Sequence, residues 1–139
     1  MRSLRNGFVF ALANLIALIW STASIAKLSQ IVLIHQKNTP ETWEAGFDQR
    51  LILVILAAEA FAAICLIAGK YKIGLLVGFL LLSSFLTALV IAPPTPGQSC
   101  GCFGEVLKTT SATGVLAHIT VLAGLQSLLA SLTWKPQPR

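Results

Sequence analysis

The chain has 139 residues, of which 55% are hydrophobic and only 11% charged, with a mean hydropathy of +0.80 and a formal net charge of +5. A soluble domain carries roughly 25% charged residues to coat its surface, and ten Lys and Arg with five Asp and Glu are too few for that task. The composition therefore excludes a water-soluble globule, a disordered chain and a disulfide-dense secreted scaffold. The basic residues punctuate hydrophobic blocks instead of gathering on one face, which excludes a nucleic-acid binder.

A bilayer core about 30 Å thick needs roughly 20 apolar residues in a helix rising 1.5 Å per residue. Four segments meet that requirement: helices are expected over about 6–34, 51–69, 73–92 and 111–133. Four segments are too few for a barrel, and lipid offers no partner for unpaired backbone groups. The fold class is thus all-α, a polytopic four-helix membrane bundle forming one domain over 1–139.

The first segment follows Arg2 and Arg5 and ends among small residues, as a signal peptide would. Its apolar stretch exceeds the roughly 7 to 15 residues of a signal peptide, which predicts an uncleaved helix. Residues Leu28 to Ile34 prolong it until Asn38-Thr39-Pro40, where proline disfavours helix in the residue before it. The second segment is interrupted by Glu59, with Cys65 as a small packing residue beyond it. The third carries Gly74 and Gly78, a small-xxx-small face for close helix contact, and stops at Pro93-Pro94. The fourth runs to Lys135 and contains His118. Asn14, Ser83, Ser84 and Thr87 are expected to bond between helices, while Trp20 and Trp134 suit the interfacial belts and Trp43 the outer surface.

Orientation follows from the positive-inside bias of short flanks. Arg2, Arg5, Lys70, Lys72, Lys135 and Arg139 crowd one side, whereas Lys27, Lys37, Arg50 and Lys108 spread over longer connections on the other. Both termini are expected in the cytoplasm and the first and third loops outside. The first loop mixes its bases with Glu41, Glu44 and Asp48, an ordinary pattern for a solvated loop.

The third loop holds the densest chemistry, Ser99-Cys100-Gly101-Cys102-Phe103-Gly104. A disulfide between cysteines one residue apart requires a tight turn, which Gly101 permits. Strain of this kind makes a disulfide more oxidising, so the pair favours thiol exchange over stapling a loop whose closure removes little chain entropy. Two thiolates with a histidine are also soft metal ligands, but a fourth ligand is missing and no metal site is assigned.

Glu59 lies near the middle of its segment, where an ionised carboxylate is costly unless paired or protonated. Counted from the outer face, Glu59 is about 12 Å deep and His118 about 9 Å. The matching depths predict that the two face each other below the cysteine loop, as a proton-relay or quinone-binding pair; the alternative is an interhelical bond that only holds the bundle together. Lys27 is the third candidate. It either pairs with Glu59 or snorkels its ammonium to the headgroups, the latter being expected unless the first helix continues to Ile34 and buries Lys27 against its neighbours.

Together these features resemble the methylamine utilisation protein MauE family, within the wider DoxX-like group of four-helix membrane proteins. The resemblance runs from about Ala23 to Leu129 through Ser24-Ile25-Ala26-Lys27-Leu28, Glu59 and Cys100-Gly101-Cys102-Phe103-Gly104. It implies a role in disulfide formation and maturation of periplasmic proteins beside a thioredoxin-like partner, with Cys100 and Cys102 as the redox pair. Enzymes that use two cysteine pairs beside a quinone differ from this chain, which has one pair.

The reading is an inner-membrane, multi-pass thiol-disulfide factor whose partners are the bilayer and a thioredoxin-like or client protein outside, with a quinone as the candidate cofactor. Two other classes compete: a non-catalytic scaffold subunit of a membrane complex, and a small proton-coupled transporter using Glu59 and His118.

Overall fold

A computed structural model describes residues 2–37, 49–91 and 112–134. Four helices occupy them: α1 (Arg2–Lys37), α2 (Gln49–Ile67), α3 (Tyr71–Ile91) and α4 (Ala112–Thr133). Each contains a stretch long and apolar enough to cross a membrane, Leu4–Ser29, Arg50–Ile67, Tyr71–Ile91 and Leu116–Thr133. The expected fold class and segments are therefore those observed, with small shifts at the ends.

At 36 residues, α1 spans about 54 Å and outruns the hydrocarbon core. Its continuation past Ile34 to Lys37 is the condition under which Lys27 would be buried, and it holds. The sharpest bend joins α2 to α3. Gly69 has φ of 74°, and the amides of Gly69 and Lys70 donate back to the carbonyls of Leu66 and Cys65 at 3.1 and 2.8 Å. This six-to-one and five-to-two pattern is a Schellman stop, which satisfies carbonyls at the end of α2. The Lys70 carbonyl then accepts from Ile73 and Gly74, starting α3 at once.

The helices pack in a ring in chain order, α1 on α2, α2 on α3, α3 on α4, closed by α4 on α1. The diagonals are therefore α1 with α3 and α2 with α4. Four consecutive spans alternate in direction, so α1 and α3 run parallel to each other and antiparallel to α2 and α4.

The distribution of side chains is that of a protein in lipid. Val90, Ile91, Ile64, Leu18 and Val54 are more than 60% exposed, and such an apolar surface would be untenable in water. The interior holds Ile16, Trp20, Leu66, Leu75 and Leu129 together with the polar residues Ser24, Lys27, Glu59 and Gln126.

Several expectations about single residues are corrected. Trp20 sits mid-span at 0% exposure instead of at an interface, because α1 is long enough to place it well inside and its face turns toward the other helices. Trp134, just past α4, is exposed where an interfacial ring belongs. Asn14, Ser83, Ser84 and Thr87 do not bond between helices through these groups. Each donates to the carbonyl four residues earlier in its own helix, at 2.8 to 2.9 Å. In lipid that local acceptor is always within reach, so a hydroxyl can face outward satisfied. Gly74 and Gly78 do serve close contact, but with two different helices. A Cβ on Gly74 would stand 2.8 Å from Leu66 Cγ of α2, and one on Gly78 2.6 Å from Gln126 Nε2 of α4. Cys65 is buried, as expected of a packing residue.

Candidate functional site: a buried ion pair across three helices

Ser24 and Lys27 are three residues apart on α1 and so share one face, which is turned inward. From α2, Glu59 meets them. Lys27 Nζ donates to Glu59 Oε1 at 2.6 Å, and Ser24 Oγ lies 3.4 Å from Oε2 while also bonding the Trp20 carbonyl at 3.0 Å. The side chains of the pair are 5% and 0% exposed. From α3, Phe85 presents its ring 5.5 Å from the Lys27 ammonium. A cation over an aromatic face is stabilised by the ring quadrupole, most strongly where water is excluded.

Lys27 thus ties three helices at one point. It does not snorkel, since continuation of α1 beyond it leaves its ammonium below the end of the helix and beside a carboxylate that needs a counter-ion. Two ions buried in lipid are tolerable only when paired at short range with further hydrogen bonds on their remaining lone pairs and protons. Ser24 and Phe85 supply part of that support.

The direct pairing of Glu59 with His118 is not formed. Glu59 bonds Lys27 and Ser24, whereas the His118 ring, partly buried on α4, approaches the Gly114 carbonyl of its own helix at 2.7 Å through Nδ1. That carbonyl can only accept, so Nδ1 carries a proton. Equal depth on α2 and α4 brings the two to one level, but the Glu59 carboxylate is taken up by Lys27 and Ser24 of α1 and the His118 ring turns to its own helix.

Cys100 and Cys102 fall between Ile91 and Ala112, outside the described residues, as do Trp43 and the acids of the first loop. Lys27 is close to the end of the Leu4–Ser29 span, whereas Glu59 is at the middle of Arg50–Ile67, nine residues from Arg50 and eight from Ile67. Among the described residues, no group of three or more His, Cys, Asp and Glu is placed to hold a metal ion.

Residues 5–134 match the family of the methylamine utilisation protein MauE, nearly the whole chain. The chain belongs to the MauE family. No curated protein and no solved structure matches it significantly. The match joins the two halves of this MauE-family protein, since it covers the helices that build the ion pair and the connection that bears the cysteines.

Sequence reasoning missed Phe85 and Gln126 and named Ser24 only within a short motif. Gln126 was visible as an amide inside an apolar segment, which is expensive in lipid and so a signal in itself. Phe85 gave no signal, because one aromatic among many apolar residues is marked only by what it touches.

Proposed function

We infer that this MauE-family protein is a membrane-embedded thiol-disulfide factor for the maturation of proteins outside the cytoplasm, with Cys100 and Cys102 as the exchanging pair. The observation that carries the reading is the Cys-Gly-Cys motif lying within the matched residues, between α3 and α4 in the chain. A client thiolate attacks the Cys100–Cys102 disulfide, the S–S bond breaks, and a mixed disulfide forms with one cysteine released as thiolate. The client's second thiolate resolves it. The client gains a disulfide, and the pair takes up two electrons and, with two protons, becomes a dithiol. A thioredoxin-like partner in its disulfide form re-oxidises the pair by the same steps in reverse, being itself reduced.

In this reading Glu59, held by Lys27, is the group in the bundle able to take part in proton movement, with His118 a separate candidate closer to the start of α4. The test is a trap. Cys100→Ser and Cys102→Ser variants expressed in the membrane, quenched with acid and analysed by mass spectrometry, are expected to accumulate a mixed disulfide through the remaining cysteine. Absence of any adduct in both variants, with the fold intact, overturns the reading.

The scaffold reading draws on a different observation, the pairing of Lys27 with Glu59 across α1 and α2. It predicts that serine at both cysteines leaves client maturation unchanged.

A further inference from the structure

A second buried polar layer lies two helical turns from the ion pair. Lys27 of α1 stands over Phe85 of α3, and these helices run in the same direction. Seven residues back on each are Trp20 and Gly78, which therefore share a level about 10 Å from the pair. Seven residues also return a helix to nearly the same face, so both positions point inward, and both are buried.

At that level α4 presents Gln126. Its side chain packs so closely on Gly78 that a Cβ there would stand 2.6 Å from Nε2 and 3.0 Å from Oε1. Trp20 and Gln126 are 0% and 1% exposed, and Trp20 Nε1, Gln126 Nε2 and Gln126 Oε1 have no hydrogen-bond partner among the described residues. Buried donors and acceptors without partners are disfavoured, most of all in a bilayer, where water is scarce. Here the chain gathers an indole donor, an amide donor and an amide acceptor at one depth, and gives up a side chain at position 78 to admit the amide.

The surroundings fix the chemistry of what would satisfy these groups. Leu122 and Leu129, one turn to either side of Gln126, and Ile16, one turn from Trp20, are buried and apolar. Lys27 and Glu59 neutralise each other two turns away. A charged ligand finds no counter-ion at this depth. A carbonyl oxygen can accept from the indole N–H and the amide NH2, the hydroxyl of its reduced form can donate to Gln126 Oε1, and a molecule carrying either can reach the site through lipid.

We propose that Trp20 and Gln126, beside Gly78, form a binding site for the carbonyl-bearing head of a neutral, lipid-soluble molecule of the quinone class. The site is separate from Glu59 and His118, and its occupation requires neither Cys100 nor Cys102, so it goes beyond disulfide exchange.

Trp20 itself reports on the site. The full chain with Trp43→Phe and Trp134→Phe keeps Trp20 as its single tryptophan. In lipid nanodiscs it is titrated with a decyl-chain benzoquinone, which quenches indole fluorescence on contact. The expected result is saturable quenching, with an apparent affinity at least tenfold weaker in Gln126→Leu. An octyl ester of acetyl-tryptophan in the same nanodiscs measures quenching by quinone merely dissolved in lipid. The Leu variant keeps the volume and removes the unpartnered amide, so a thermal midpoint at or above that of its parent shows an intact bundle. Should it fail to fold, Gly78→Ala, whose methyl displaces the amide, makes the same comparison. Cys100→Ser with Cys102→Ser is expected to leave the quenching unchanged, which separates this site from the disulfide reading. Quenching that rises linearly with quinone per lipid, equal in parent and variants, overturns the proposal and leaves buried water as the partner of these groups.

Discussion

Glu59 and Lys27 are each costly alone inside an apolar span and stable together, so their energetics belong to the pair. Truncating one partner leaves the other as an uncompensated buried ion, and Lys27→Met is expected to destabilise the bundle by about 3–5 kcal/mol. Replacing both, as Lys27→Met with Glu59→Leu, removes the charge problem and is expected to recover most of that loss. Unfolding in mixed micelles measures both, and a double variant no more stable than the single one would show that the two do not act as a unit. Client disulfide formation by a folded double variant then separates the roles: retained turnover limits the pair to holding helices together. Glu59 was legible in the sequence because an acid in an apolar run is costly wherever the helix packs. Its partner was legible only as a choice, since Lys27, 32 residues away, could pair with it or snorkel, and depth made His118 an equal match.

Glycines at helix ends and contacts act in two distinct ways. Gly69 holds φ at 74° with open space where a Cβ would go, so the cost of a substitution there is conformational. Gly69→Ala is expected to lower stability by about 1 kcal/mol without changing helix content, because a left-handed residue with a side chain costs roughly that much. Gly74 has ordinary helical geometry and no room. An added methyl would meet Leu66 Cγ at 2.8 Å and the Ala62 carbonyl at 3.1 Å, so Gly74→Ala must move α2 from α3 and is expected to cost more than the Gly69 change. Thermal melts with circular dichroism rank the two, and the reverse order would contradict the packing of α2 on α3. The hydroxyls of α3 carry the complementary lesson. A serine in an apolar segment reads as an interhelical bond, yet Ser83 and Ser84 bond Phe79 and Leu80 of their own helix and face outward.

Across the whole molecule, spans that alternate in direction put the start of α1, the α2–α3 bend and the end of α4 on one side, and the ends of α1 and α3 on the other. The positive-inside bias predicts that the first side is cytoplasmic. A dual reporter fused after Phe103 is expected to read as extracytoplasmic and one fused after Lys72 as cytoplasmic; the opposite pattern would put the cysteines in a reducing compartment, where a disulfide pair does not persist. The sequence alone determined that the chain lives in lipid, crosses it four times as helix, and carries one unexplained acid and one vicinal cysteine pair. Those properties follow from composition and run length, which act along the chain and need no knowledge of neighbours. Only the tertiary structure decided that Lys27 and not His118 answers Glu59, that Trp20 is buried, and that Gln126 rests on Gly78. Each depends on which helices are adjacent and how they are rotated, and residues at equal depth are indistinguishable until packing decides which of them face each other.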